Sequence, residues 1–184
     1  MTAAAAIHRT LELVIGLTDR PPHPDVDPAV SALISDLRTD PPPRPPYETE
    51  DMIWACWSTH ADDRARNGLE RAIAALAGGE HAKAEEELNL LCRHWPTWAE
   101  AWNKRATLHY VTGQDIRSLG DIQQTLLREP RHFGALAGFG HICMRHGDRL
   151  SARIGFEAAL QLNPHLAPIR NLVSALGDTT NSVN

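Results

Sequence analysis

A 34-residue period constrains this chain more than any other feature of it. Pro96, Pro130 and Pro164 stand 34 residues apart, and Gly79, Gly113 and Gly147 keep that spacing, each 17 residues ahead of one of the prolines. Ala84 and Ala152 lie 12 residues before their prolines, with Ser118 between them in register. Leu88, Ile122 and Phe156 align, and so do Leu91, Thr125 and Ala159. Several features in phase at one period identify an internal repeat, and a period of this length means stacked supersecondary units. From about Glu48 onward the apolar residues recur at helical spacing, so each unit reads as helix, tight turn, helix.

The punctuation fits that reading. Glycine supplies the left-handed backbone that ends the first helix of a unit. Proline cannot continue a helix and biases its predecessor to extended backbone, so it stops the second. Thr97 and Glu100 form a T-x-x-E pattern expected to act as a capping box ahead of Trp102. Asp115 and Asp148 follow their turn glycines where an N-cap belongs.

Upstream, two proline-rich stretches, residues 20–24 and 39–46, divide the chain. A first helix precedes them. Asp27-Pro28 opens a second, whose Val30, Leu33, Ile34 and Leu37 share one face. The expected organisation is an N-terminal helical arm over residues 1–47, an N-terminal capping helix region over 48–64, repeat units over 65–98, 99–132 and 133–166, and a C-terminal capping helix and tail over 167–184.

The repeats resemble the tetratricopeptide-repeat (TPR) family. The third unit carries Phe139-Gly140, Ala152, Phe156, Ala159 and Pro164 at consensus places. The second carries Trp102, Gly113 and Pro130, and the first Ala84, Leu88, Leu91 and Pro96, with Gly68 replacing the tryptophan. The chain is also similar to small bacterial TPR proteins with Trp-Asn-Lys-Arg-Ala-Thr (here 102–107) and Glu-Pro-Arg-His-Phe-Gly-Ala-Leu (here 129–136) segments. The resemblance implies an all-α solenoid of three helix-turn-helix units with flanking capping helices, lined on its concave side by the first helix of each unit.

By that resemblance the groove positions include Asn103, Lys104, Thr107, Tyr110, His141, Met144 and Arg145. Asn103 and Lys104 would supply donors, Tyr110 and Met144 adaptable apolar contact, and Arg145 a planar fork for a carboxylate. The lysine and asparagine pattern of a carboxylate clamp is not met, because Ala137 and Gly138 occupy the later clamp positions. Arg105 stands where leucine is usual and requires an acid, with Asp121 and Glu129 the expected partners in a structural ion pair. The arm's apolar face over Val30–Leu37 could plug the groove of the same molecule or of a neighbour.

Other chemistry has little support. His141, Cys143 and His146 do not share one helix face, so no metal is expected. No glycine-rich loop after a strand, G-x-S-x-G or H-E-x-x-H occurs, so neither a catalytic residue nor a cofactor is expected. The tryptophans read as packing residues, and Cys56, Cys92 and Cys143 as free thiols. A net charge of -5 gives no basic footprint for nucleic acid, and no apolar run reaches the roughly 18 residues of a membrane span. The expectation is a cytoplasmic adaptor or assembly factor holding another protein or peptide segment in its groove. The alternative is a structural, self-associating subunit of a homo-oligomer.

Overall fold

A computed structural model describes residues 2–17 and 20–178. Among the described residues there are ten helices and no strand: α1 (Ala3–Ile15), α2 (Ala29–Arg38), α3 (Pro46–Ser58), α4 (Asp63–Ala77), α5 (His81–His94), α6 (Ala99–Val111), α7 (Asp115–Arg128), α8 (Phe133–Arg145), α9 (Arg149–Leu162) and α10 (Ala167–Asp178). The pairs α4–α5, α6–α7 and α8–α9 are the three repeat units, stacked in chain order, and α10 packs on α9. The tail expected beyond residue 178 lies outside the described residues. No described helix is long and apolar enough to cross a membrane.

The turns within units repeat their chemistry as closely as their spacing. Gly79, Gly113 and Gly147 have φ of 71°, 73° and 74°, the only residues with positive φ among those described. The residue after each donates back five positions, from Glu80 to the Ala75 carbonyl at 2.8 Å, Gln114 to His109 at 2.7 Å and Asp148 to Cys143 at 2.9 Å. These bonds satisfy carbonyls the helix end would otherwise leave open. Asp148 caps α9 by accepting the Ser151 N–H. Asp115 begins α7 without capping it, and its carboxylate instead meets Arg145 and His146. The capping box at α6 does not form. Trp98 holds the N-cap place without a side-chain bond, and Glu100 turns inward toward His132.

The first helices α4, α6 and α8 approach one another in sequence and form the inner row. The arm covers the outer side and one edge of units two and three. Helix α1 buries Ala6, Ile7, Thr10 and Val14 against α7 and α9, with the Gln123 amide donating to the Thr10 hydroxyl at 2.8 Å. Residues 20–28 then round the edge, where the His23 N–H meets the Arg128 carbonyl at 2.6 Å. Helix α2 buries Val30, Leu33, Ile34 and Leu37 against α3 and α9. The apolar face considered as a groove plug is therefore covered by α3 and by α9, a second helix of the outer row.

Helix α3 does not sit on the free side of the first unit, where a capping helix was expected. It packs on α2 and lies along the turns that join successive units. Trp57 Nε1 points to Glu129 and its carbonyl accepts Trp98 Nε1 at 2.8 Å, while Glu50 accepts the Asn163 amide at 2.9 Å. The first unit closes itself: Arg64, Asn67, Glu70 and Arg71 leave the outer face of α4 polar and exposed. A repeat stack needs a polar terminal face, and here α4 supplies it directly.

Candidate partner-binding groove

The residues assigned to the groove from sequence divide into two groups. Asn103 is buried and donates its amide to Glu100 Oε2 at 3.0 Å. Lys104 Nζ lies 2.9 Å from Glu100 Oε1 and 5.2 Å from the centroid of the Trp54 ring. Arg145 donates to Asp115 at 2.6 Å and to the Tyr110 carbonyl at 3.1 Å, and its guanidinium lies 3.8 Å over the Tyr110 ring. These donors already have internal partners. Thr107 is exposed, with its hydroxyl bonded back to the Asn103 carbonyl, and Met144 is half-buried. His141 is half-buried against Phe156, and that burial lowers its pKa.

Glu100 is the centre of a polar network that sequence reasoning did not single out. It is fully buried and receives His132 Nε2 at 2.9 Å. The other ring nitrogen of His132 accepts the Ala135 N–H at 3.2 Å, so the proton of a neutral ring lies on Nε2 and points at the carboxylate. The ring stacks on Trp57 at 4.0 Å. Burial by itself would raise the Glu100 pKa; the contacts of His132 and Lys104 outweigh it and hold the carboxyl below its usual value. The residue itself stood out in sequence only as part of a Thr-x-x-Glu pattern, which reads locally as a cap.

Arg105 binds Asp121 through two bonds of 3.0 and 2.7 Å and takes Asn89 at 2.9 Å. Glu129 is not part of that pair. It stands at the C-terminal cap of α7, where its carboxylate accepts Arg131 at 2.9 and 2.8 Å and Trp57 Nε1 of α3. Buried His109 completes the Asp121 site from the other side at 2.8 Å.

The inner row is thus an open surface at its middle and occupied at one end. Trp54 of α3 reaches over Lys104 of α6 and Gly134 of α8, and a Cβ on Gly134 would stand 2.6 Å from the Trp54 ring. Away from that corner, Ile73 and Val111 remain 40% and 54% exposed beside exposed Thr107 and half-buried Tyr110. Burial pushes the Cys92 and Cys143 thiols up to about 12, leaving them unreactive. Cys143 is buried, His141 faces Phe156 and His146 faces Asp115; among the described residues no three metal-ligating side chains converge.

No family model matches the chain. A TPR repeat-containing protein of Rhizobium etli is 42% identical to it over 69 residues, which make up 38% of this chain and 34% of that relative. The chain therefore spans about a third of the length of the relative it matches. The similarity agrees with the 34-residue register, the glycine turns and the helix pairs stacked in chain order. Over that stretch the chain is similar to a tetratricopeptide-repeat protein, and its described helices are all α and packed in neighbouring pairs, as in a short solenoid.

Proposed function

We propose that this chain is an adaptor or assembly factor that holds a segment of another protein along its inner row, and that binding rather than catalysis is its role. One observation carries the reading. The arm covers the outer row and the turn edge of units two and three, yet the inner row keeps Ile73, Thr107 and Val111 exposed. Isolated surface apolar residues mean little. Here they fall on the first helices of adjacent units, the row that a helix or extended segment would contact. Trp54 closes one end of that row, so the segment held is short.

The test uses the full chain as bait in an extract of its native cell. The variant Ile73→Glu/Thr107→Glu/Val111→Glu changes only exposed side chains and should keep the helical circular dichroism and melting of the parent. A client captured by the parent and lost by this variant supports the groove. Identical capture by both proteins sinks it. Light scattering on the purified chain addresses the self-associating reading, which requires a stable multiple of the chain mass.

A further inference from the structure

His109 stands where the first and second units meet, with Asp121 of α7 on one side of its ring and Glu85 of α5 on the other. The residue is 2% exposed. Its Nδ1 lies 2.8 Å from Asp121 Oδ2, and Asp121, already held by two bonds from Arg105, only accepts. The proton of the neutral ring therefore lies on Nδ1. That leaves Nε2 as a buried lone pair with no hydrogen-bond donor among the protein groups. It faces Glu85 Oε1, a second acceptor, at 3.8 Å. Two acceptors set against each other in a buried seam weaken it.

The charges around the ring are balanced. Arg105 offsets Asp121, and Arg117 offsets Glu85 at 2.8 Å. Among the described residues no charged group of α4 or α8 pairs with the ring. A proton on Nε2 adds one positive charge and turns the facing acceptors into a donor and an acceptor. Glu85 is free to meet it. Its side chain is 33% exposed and that of Arg117 52%, and Arg117 also donates to the Gln114 side-chain oxygen at 2.6 Å, so the guanidinium can yield the carboxylate to the ring.

We propose that His109 is a proton-operated latch between the first two units. Protonated, it bridges Asp121 and Glu85 and ties α6 and α7 to α5. Neutral, it holds Asp121 alone, and the polar part of the seam rests on Arg105 with Asn89 and on Arg117 with Glu85. Closing the latch takes up a proton, so the seam is firmer at the acid end of the histidine range, between about pH 8 and 5, and looser at the alkaline end. The same seam sets the step between α4 and α6, which carry Ile73 and Val111. The latch itself stands whether or not that row holds a partner.

Two measurements on the full chain test it across that range. Nitrogen-15 NMR of the imidazole rings, with His109 assigned by its loss in His109→Asn, reads the proton on Nε2. Amide-exchange protection, corrected for the intrinsic rate at each pH, reads the seam. In the parent, Nε2 should gain its proton as the pH falls, and protection of α4 and α5 relative to α9 should rise roughly tenfold, the scale of one hydrogen bond to a charged group. Glu85→Gln is the decisive variant, because its amide donates to the neutral ring and its oxygen accepts from the protonated one. It should hold the higher protection at both ends of the range. His109→Asn keeps a donor for Asp121 but does not reach Glu85, and should hold the lower; if it fails to fold, Glu85→Gln decides alone. The proposal is overturned if Nε2 stays unprotonated throughout, if the relative protection of the parent does not change with pH, or if Glu85→Gln keeps the pH dependence of the parent.

Discussion

The first repeat unit and the two that follow share one register and yet are held together differently. Arg71 and Glu87 of the first unit occupy the positions of Arg105 and Asp121 in the second. Both pairs bond side chain to side chain, but Arg71 is 55% exposed and Arg105 only 17%. The same two positions in the third unit are Phe139 and Gly155, where a Cβ on the glycine would meet the Phe139 ring at 2.8 Å. One contact site thus runs from a solvated ion pair through a shielded one to an aromatic ring on bare backbone. The cores differ in step. The first unit is filled largely by alanine and leucine, whereas Phe133, Phe139 and Phe156 and the buried faces of α1, α2 and α3 form one continuous core around units two and three. An identical period therefore sets turn geometry in all three units and leaves the source of their stability free to vary.

The sharpest test of this contrast removes the contact that fastens α3, on which α2 packs, to units two and three. Trp57→Ala strips a buried ring from Glu129, His132 and Phe133 and should cost about 3–5 kcal/mol in urea unfolding. Amide exchange should quicken in α2 and α3 while α4 keeps its protection. Uniform quickening through all three units would instead show that the stack unfolds as one body.

A smaller effect separates the two ion pairs. Arg105→Ala leaves Asp121 buried with His109 and Asn89 nearby, and a loss of about 3 kcal/mol is expected. Arg71→Ala removes a solvated pair and should cost less than about 1 kcal/mol. Equal losses in the two variants would erase the distinction drawn between the units.

Two glycine substitutions probe the seat of α3 against a free helix surface. Gly134→Ala pushes a methyl group into Trp54 and should destabilise by about 1–3 kcal/mol. Gly120→Ala in α7 meets nothing within 4 Å and should stabilise by about 0.5–1 kcal/mol. A stabilising Gly134→Ala would mean that Trp54 does not hold its place over the groove.

The smallest expected effect is a pH dependence localised to Glu100. Its carboxyl is held below the ordinary value of 4.5, so its contribution is complete above that pH and is lost as the pH falls through the lower folded-state value. The urea midpoint of the parent should fall over that interval more steeply than that of Glu100→Gln. Parallel slopes would remove Glu100 from the acid sensitivity.

Much of the repeat region was legible because its signals are local. Left-handed glycine turns, helix-stopping prolines and apolar residues at helical spacing act within a few residues of where they occur. The site was less legible for the opposite reason. Asn103, Lys104 and Arg145 look like free donors in sequence, and each is taken by a partner on the same or the preceding helix. Glu100 suits a cap equally well, and the difference lies in His132, 32 residues away.

By itself, then, the sequence determined the helical class, the three-unit register and the backbone of each turn. The tertiary structure decided where the arm lies, that Trp54 fills one end of the inner row, and that Glu129 turns to Arg131 rather than Arg105. The reason is physical. An amphipathic helix carries in its sequence the need to bury one face, but several surfaces could satisfy that need. Only the three-dimensional arrangement of the turns at Trp98, His132 and Asn163 makes one edge complementary to α3.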